Sequence, residues 1–549
     1  MRIAAAVRQS DSENILKGWS FISIFAANLE LKKQKPKNMS IRVRFAPSPT
    51  GALHIGGIRT ALYNYLLAKK HGGTFILRIE DTDQNRFVAG AEKYIIEALE
   101  WLGITPTEGV GFGDGPYAPY RQSDRKALYK KYVAQLVESG AAYYAFDTPA
   151  ELEAMRHKLE AEKAANTSYS SATRTRPDLN LQNALTLSEE TVAQYLAEGK
   201  PVVIRLKIAA NQTITVNDLI KGDFSLETNA LDDKVLMKAD GMPTYHLANV
   251  VDDYDMKISH VIRGEEWLSS LGHHVLLYRA FGWEAEMPKF AHLPLILRPD
   301  GKGKLSKRDG QKFGFPVFPL DWQGEKETFE GFKGVGFDPR AVVNFLALLG
   351  WGTGSNEEFY TLEELVEKFS IEKISQSGAR FNYEKAQWFN QEYLKRTPNE
   401  DIAAQLYPLS IKRGYTVSEA FLAQFAGLMK ERVTFITEFL DKGYYFFEDI
   451  RAYDMSNVTK RWKPENRAKF DELKNFIAAL EFGDPLSMEH ATKEWINENG
   501  LKMGEVLPLL RIALAGTMQG PAIFDMAVLL GKPEILRRLE RAYAAFDAQ

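Results

Sequence analysis

The chain has 549 residues, 45% of them hydrophobic and 26% charged, so it can bury several cores and reads as about three domains. It has no cysteine, which excludes disulfides and any zinc site built on thiolates. A net charge of −3 does not announce a nucleic-acid partner, so such a partner would have to meet local basic surfaces.

Residues 1–38 differ in character from the rest of the chain. Their one apolar stretch, Trp19 to Leu29, is too short to span a bilayer, and no small-residue cleavage site comes after it. A basic run from Lys32 to Lys37 then precedes Met39, so the expectation is a disordered leader or a misassigned start, with Met39 as the natural first residue. No other segment reads as transmembrane, and the expected location is the cytoplasm.

Ile41 to Phe45 alternates apolar and basic residues and predicts a strand. Pro47 and Pro49 stiffen the next loop, and Gly56 to Lys70 carries Ile58, Leu62, Tyr65 and Leu66 at helical spacing before a stop at His71-Gly72-Gly73. Thr74 to Ile79 predicts a second strand. Strand, loop, helix and strand form a βαβ unit, hence a parallel sheet with a ligand crevice at the carboxyl ends of its strands. From about 105 to 235 the rhythm loosens into an inserted module, with a charged helix at Glu151–Ala165. It returns as a strand (Lys257–Arg263), a helix (Glu265–Phe281), a strand (Phe290–Leu297) and a basic, mobile-looking loop, Gly303 to Arg308. Residues 313–336, rich in Gly, Pro and Phe, read as a long surface excursion; beyond 338 nearly everything reads helical, including Phe421–Leu440, Asn466–Leu480 and Pro533–Phe546.

Two short segments point to chemistry. In Phe45-Ala46-Pro47-Ser48-Pro49-Thr50-Gly51-Ala52-Leu53-His54-Ile55-Gly56-Gly57, a strand turns into a helix whose first N–H groups favour an anion. Gly51, Gly56 and Gly57 let backbone approach a phosphate, and His54 at that mouth can donate a hydrogen bond to a phosphate oxygen. In Gly303-Lys304-Leu305-Ser306-Lys307-Arg308, the lysines suit a pyrophosphate leaving group. Each alone is better explained as a capped Gly turn or a solvated basic turn; the pair, both flanked by α/β segments in the right order, suits transfer at the α-phosphate of a nucleotide. Three strand-end residues suit an amino-acid substrate: Glu80 for an ammonium, Arg44 and Arg263 for carboxylate. The bland reading makes the arginines surface ion pairs and Asp81 and Asp83 helix caps. Tyr245 and Asn249 are four apart and would share a helix face, while Trp267 is expected in the core.

These strings, together with Leu77-Arg78-Ile79-Glu80-Asp81-Thr82-Asp83, Tyr245-His246-Leu247-Ala248-Asn249-Val250-Val251-Asp252-Asp253, Val261-Ile262-Arg263-Gly264-Glu265-Glu266-Trp267 and Arg511-Ile512-Ala513-Leu514-Ala515-Gly516, resemble the bacterial-type glutamyl-tRNA synthetases, class I aminoacyl-tRNA synthetases. The resemblance runs in order from about Met39 to the end. It implies an α/β Rossmann-type catalytic domain (39–104 and 236–310) interrupted by an α+β acceptor-end-binding insertion (105–235). A stem-contact region (311–390) and an all-α anticodon-binding half (391–549) complete the chain. It implies catalysis by His54, Lys304 and Lys307; ATP binding, with Mg²⁺, by His54, Gly56, Gly57, Lys304, Ser306, Lys307 and Arg308; and glutamate binding by Arg44, Ala46, Ser48, Glu80, Tyr245, Asn249 and Arg263. Implied partners are L-glutamate, ATP and glutamate tRNA, with glutamine tRNA left open, acting on a monomer that activates its amino acid only with tRNA bound. Some relatives carry a four-cysteine zinc site in the insertion; without cysteine, no structural zinc is expected. The nearest rival, a glutaminyl-tRNA synthetase, has a carboxyl half of β-barrels where this one reads helical. A small nucleotidyltransferase would not need that half, and a non-catalytic tRNA-binding regulator would not need His54, Glu80, Lys304 and Lys307 together.

Overall fold

A computed structural model describes residues 40–324 and 327–548. The expectations for residues 1–38 lie outside the described residues.

In chain order the elements of the first half are β1 (Arg42–Phe45), α1 (Ile55–Lys70), β2 (Thr74–Leu77), α2 (Ala91–Trp101), β3 (Glu108–Gly109), α3 (Lys126–Glu138), β4 (Ala142–Ala145), α4 (Pro149–Ala161), α5 (Glu189–Ala197), β5 (Val203–Leu206), β6 (Thr213–Asp218), β7 (Gly222–Glu227), β8 (Val235–Met237), α6 (Tyr245–Asp255), β9 (His260–Gly264), α7 (Leu271–Ala280), β10 (Lys289–Leu293) and α8 (Lys307–Phe313).

The expected βαβ unit is present. β1 runs parallel to β2 with Arg44 opposite Ile76, and β2 parallel to β3 with Leu77 opposite Gly109. On the other flank the Ser259 N–H donates to the Arg42 carbonyl at 2.9 Å, which seats β9 beside β1. β9 runs parallel to β10 with Arg263 opposite His292, and β10 parallel to β6 with Phe290 opposite Asp218. Helix α1 holds Ile58, Leu62 and Leu66 against this sheet, and Lys69 and Lys70 in its last turn complement its dipole. The strands end together on one side, which is where a ligand meets such a sheet.

The sheet reaches past the expected limits of the insertion, because β3 and β6 both hydrogen-bond into it. The part with its own small core is narrower and includes Tyr143, Met155, Leu159 and Leu181. The carboxyl half is helical, with a separate core running from Leu394 to Phe546. No helix among the described residues is long and apolar enough to cross a membrane.

Four expectations are corrected. Residues 313–336 are a surface excursion only in part: Asp321, Gln323 and Thr328 are exposed, but Phe315, Val317, Phe318, Leu320 and Phe332 are buried in the catalytic core, and the Ile55 N–H donates to the Val317 carbonyl at 3.0 Å. The Glu265–Phe281 helix begins as a 3₁₀ turn, Glu265–Ser270, before α7. The Phe290–Leu297 strand stops at Leu293, because Pro294 has no N–H to give to a neighbour. The Phe421–Leu440 helix is broken: Glu419–Met429 ends, and the Glu438 carboxylate then accepts from the Thr434 N–H at 2.6 Å and the Phe435 N–H at 3.3 Å to start a new turn.

Candidate active site

A cavity of about 430 Å³ opens at the carboxyl ends of β1 and β9 and the start of α1. It gathers Arg44, Ala46, Ser48, His54, Gly56, Gly57, Glu80, Tyr245, Asn249, Arg263, Lys304 and Lys307, most of the residues singled out from sequence. Ser306 and Arg308 do not line it. Ser306 is the N-cap of α8, where its hydroxyl donates to the Asp309 carboxylate at 2.7 Å, and Arg308 lies on the exposed side of that helix. The basic segment is therefore a turn feeding a capped helix rather than a loose loop; Lys307 is the first helical residue.

One group of residues suits phosphate. His54 is the N-cap of α1, and its Nδ1 accepts from the Gly56 N–H at 3.1 Å. A ring nitrogen that accepts carries no proton, so in the neutral ring the proton sits on Nε2. Burial first, then the charges of Lys307 and Lys304, pull the His54 pKa down to about 4, so the ring is neutral at pH 7. Its Nε2 is buried and makes no full hydrogen bond, only a loose contact with the Ser306 backbone, so it can turn to a ligand acceptor. Phe318 from the 313–336 segment packs edge-on to His54, ring centroids 6.1 Å apart, and fixes its plane. Gly51, at φ 124°, has a backbone that disfavours any side chain, and a Cβ there would sit 3.7 Å from Lys307 Nζ. Gly57 has a different role: a Cβ there would lie 2.6 Å from Leu53, so its smallness serves helix packing. Lys307 is half-buried, and burial lowers its pKa. Lys304 is more exposed and pairs with Glu266 at 2.9 Å.

The second group suits an amino acid. Tyr245 and Asn249 lie one turn apart on α6, and the Asn249 amide donates to Glu80 at 3.0 Å. Arg78, fully buried, donates to the same Glu80 oxygen at 2.9 Å and to Asp253 at 2.7 Å. Arg44 is buried, not a surface ion pair, and donates twice to Asp253, at 3.0 and 3.2 Å. Burial opposes the Asp253 charge, but Arg44 and Arg78 outweigh it and hold that carboxyl below its usual range. Arg263 differs from both. Its Nη1 donates to the Tyr245 hydroxyl at 2.6 Å and its Nε to His292 at 3.0 Å. It makes no ion pair with a carboxylate among the described residues. Burial lowers its pKa, yet a guanidinium stays charged in protein. Burial pushes the Tyr245 hydroxyl up to about 12, so it remains a neutral hydrogen-bonding group.

Trp267 is not in the core. It is 42% exposed at the mouth of the cavity, its ring 4.5 Å from that of Tyr245. Asp81 caps no helix and accepts from the Ser123 N–H at 2.8 Å, whereas Asp83 stands at the N-cap of a 3₁₀ turn, Gln84–Arg86, and pairs with Arg86 at 2.6 Å. Sequence reasoning assigned no role to Arg78, Asp253 or His292. Arg78 had a signal, because it alternates with Glu80 and so shares its side; Asp253, on α6, becomes meaningful only where that helix meets Arg44 and Arg78, and His292 only through cross-strand register.

Comparison with known proteins decides the family. Residues 40–388 match the family described as tRNA synthetases class I (E and Q), catalytic domain, and residues 384–543 match the family described as anticodon binding domain. The chain belongs to the class I synthetase family. Its relatives include the glutamate–tRNA ligase of Flavobacterium psychrophilum, 52% identical over 92% of this chain and 99% of that one. The glutamate–tRNA ligase of Amoebophilus asiaticus is 51% identical over 91% and 98%. Among solved structures, a glutamate tRNA ligase from Elizabethkingia meningosepticum, in complex with its amino acid, superposes with a TM-score of 0.88 at 47% identity and covers 92% of this chain and 100% of that one.

Proposed function

We propose that this protein ligates L-glutamate to the 3′ end of glutamate tRNA, consuming ATP. The glutamate α-carboxylate attacks the α-phosphate of ATP, giving glutamyl-adenylate and pyrophosphate. The terminal ribose hydroxyl of the tRNA then attacks the adenylate carbonyl, giving glutamyl-tRNA, AMP and a proton. A carboxylate is ionised at pH 7, so the first step needs no protein base. What the site contributes is positioning and charge stabilisation. The His54 Nε2–H and the Lys307 ammonium meet the phosphate oxygens, and Lys304 adds charge at the rim. Glu80 faces the substrate ammonium.

The observation that carries the amino-acid choice is Arg263, a buried guanidinium that no described carboxylate neutralises. A glutamate side chain supplies the missing charge bidentately. A glutamine amide leaves that charge unpaired, which is costly in a site sheltered from water. Both acidic residues lining the cavity are already engaged, Glu80 by Arg78 and Asn249 and Glu266 by Lys304. They form no carboxylate nest for Mg²⁺; the ion would come with ATP and would supply positive charge for the phosphates. Residues 105–235 hold the acceptor end, 311–390 contact the stem, and 391–549 read unpaired anticodon bases by stacking and edge contacts. We place the reaction in the cytoplasm and on a monomer.

The test is aminoacylation of purified glutamate tRNA and glutamine tRNA, each offered glutamate and glutamine with ATP. Glutamate on glutamate tRNA is the expected product. Charging of both tRNAs with glutamate would extend the substrate range, and charging with neither amino acid would overturn the reading.

A further inference from the structure

Register across three strands lines up a row of side chains behind the amino-acid end of the cavity. Arg263 on β9 stands opposite His292 on β10, and Phe290, two residues earlier on β10, stands opposite Asp218 at the end of β6. The His292 Nδ1 lies 2.6 Å from the Asp218 carboxylate, and the Arg263 Nε–H donates to His292 Nε2 at 3.0 Å. Side chains of His292 and Asp218 are fully buried.

These contacts leave one protonation pattern. Arg263 can only donate, so His292 Nε2 must accept and carries no proton. Nδ1 then bears the proton and donates to Asp218. The Asp218 carboxylate is fixed in turn by the Ile220 N–H at 3.0 Å and the Lys221 N–H at 2.9 Å. The imidazole is neutral. It aims the guanidinium from behind while keeping the Asp218 charge one ring away from it. A carboxylate in the place of His292 would aim Arg263 equally well but would cancel its charge, and the cavity would lose its reason to prefer an acidic side chain over an amide.

We infer that His292, oriented by Asp218, is a positioning residue that sets the amino-acid specificity of this site by holding Arg263 without neutralising it. The inference rests on Arg263 being the acceptor of the substrate side-chain carboxylate. It assigns these two residues a part in substrate selection, although neither touches the cavity.

The experiment is aminoacylation of glutamate tRNA by the full chain, with the KM values for glutamate and ATP, kcat, and the ratio of kcat/KM for glutamate over glutamine measured for wild type, His292→Gln, His292→Leu, His292→Glu and Asp218→Asn. Thermal melts of each variant accompany the kinetics. Glutamine can accept from Arg263 and donate to Asp218, so His292→Gln should keep the glutamate KM within about threefold, less than the loss of one hydrogen bond. His292→Leu should raise it about 10- to 100-fold, the range for a lost charged hydrogen bond, with the ATP KM unchanged. His292→Glu should lower the glutamate-over-glutamine ratio by about 10-fold or more, an effect that mere loosening would not produce because it would weaken both amino acids alike. A folded His292→Leu with unchanged glutamate KM overturns the inference. If that variant does not fold, the same result for Asp218→Asn overturns it. Equal rises in the KM values for glutamate and ATP would show a collapsed cavity and also overturn it. Wild type that charges no tRNA would instead overturn the proposed function.

Discussion

Replacing Arg263 with lysine keeps the charge and removes the fork. The guanidinium makes three protein contacts, Nη1 on the Tyr245 hydroxyl at 2.6 Å, Nε on His292 at 3.0 Å and Nη2 on the Trp267 carbonyl at 3.4 Å, and it lines the cavity. An ammonium is a point charge on a flexible stem and cannot hold a carboxylate bidentately while satisfying His292. Losing one charge-assisted hydrogen bond to the substrate costs about 1.5–3 kcal/mol, which is about 10- to 150-fold in kcat/KM for glutamate. Because Lys304, Lys307 and His54 are untouched, the KM for ATP should not move. The assay is steady-state aminoacylation with saturating tRNA, varying glutamate and then ATP. An unchanged kcat/KM for glutamate would remove Arg263 from substrate recognition and with it the argument from the uncompensated charge.

Three further outcomes are expected. His54→Ala removes the Nε2 donor and the helix cap and should lower kcat about 10²- to 10³-fold, the scale of one lost transition-state donor, with the glutamate KM little changed; single-turnover adenylate formation reads it. Burial holds the pKa values of His54 and His260 to about 4 and of His246 to about 3, so the folded state stays neutral there while the unfolded chain takes up protons near 6.5. Proton uptake then favours unfolding: the melting temperature should be at its plateau above pH 6.5 and fall as pH drops toward 4, and a rise over that window would contradict the burial of these rings. Phe318→Ala should cost about 3–5 kcal/mol of stability, the range for a truncated core aromatic, measured by denaturant unfolding; a cost near zero would restore the surface reading of residues 313–336.

What was legible in the sequence was what short-range pattern encodes. The alternation of Ile41 to Phe45, the glycines around His54 and the helical spacing from Ile58 to Leu66 each carry their own local cause, and the strand-end positions of Arg44, Glu80 and Arg263 derive from them. What was not legible depends on partners far away in the chain. Residues 313–336 have no period of 2 or 3.6; the burial of their apolar side chains comes from His54, 264 residues before Phe318 by the numbering, and from the helix Pro339–Leu348 that packs in the same core. Trp267 was assigned to the core on residue type, but the 3₁₀ turn after β9 swings it out over Tyr245. His292 is silent in the sequence because only the pairing of β9 with β10 brings it to Arg263. Ser306 and Arg308 come from the resemblance of the 304–308 string; the structure places Ser306 at the cap of the helix that starts at Lys307 and Arg308 on its exposed side.

The most direct test of the central claim tracks an oxygen atom. Glutamate labelled with ¹⁸O in its α-carboxylate is charged onto glutamate tRNA with ATP, and the nucleotide products are analysed by mass spectrometry. Attack on the α-phosphate places one labelled oxygen in AMP and none in pyrophosphate, and the amino acid ends on the tRNA. Label in orthophosphate with ADP as the nucleotide product, or glutamyl-tRNA with unlabelled AMP, would contradict the account.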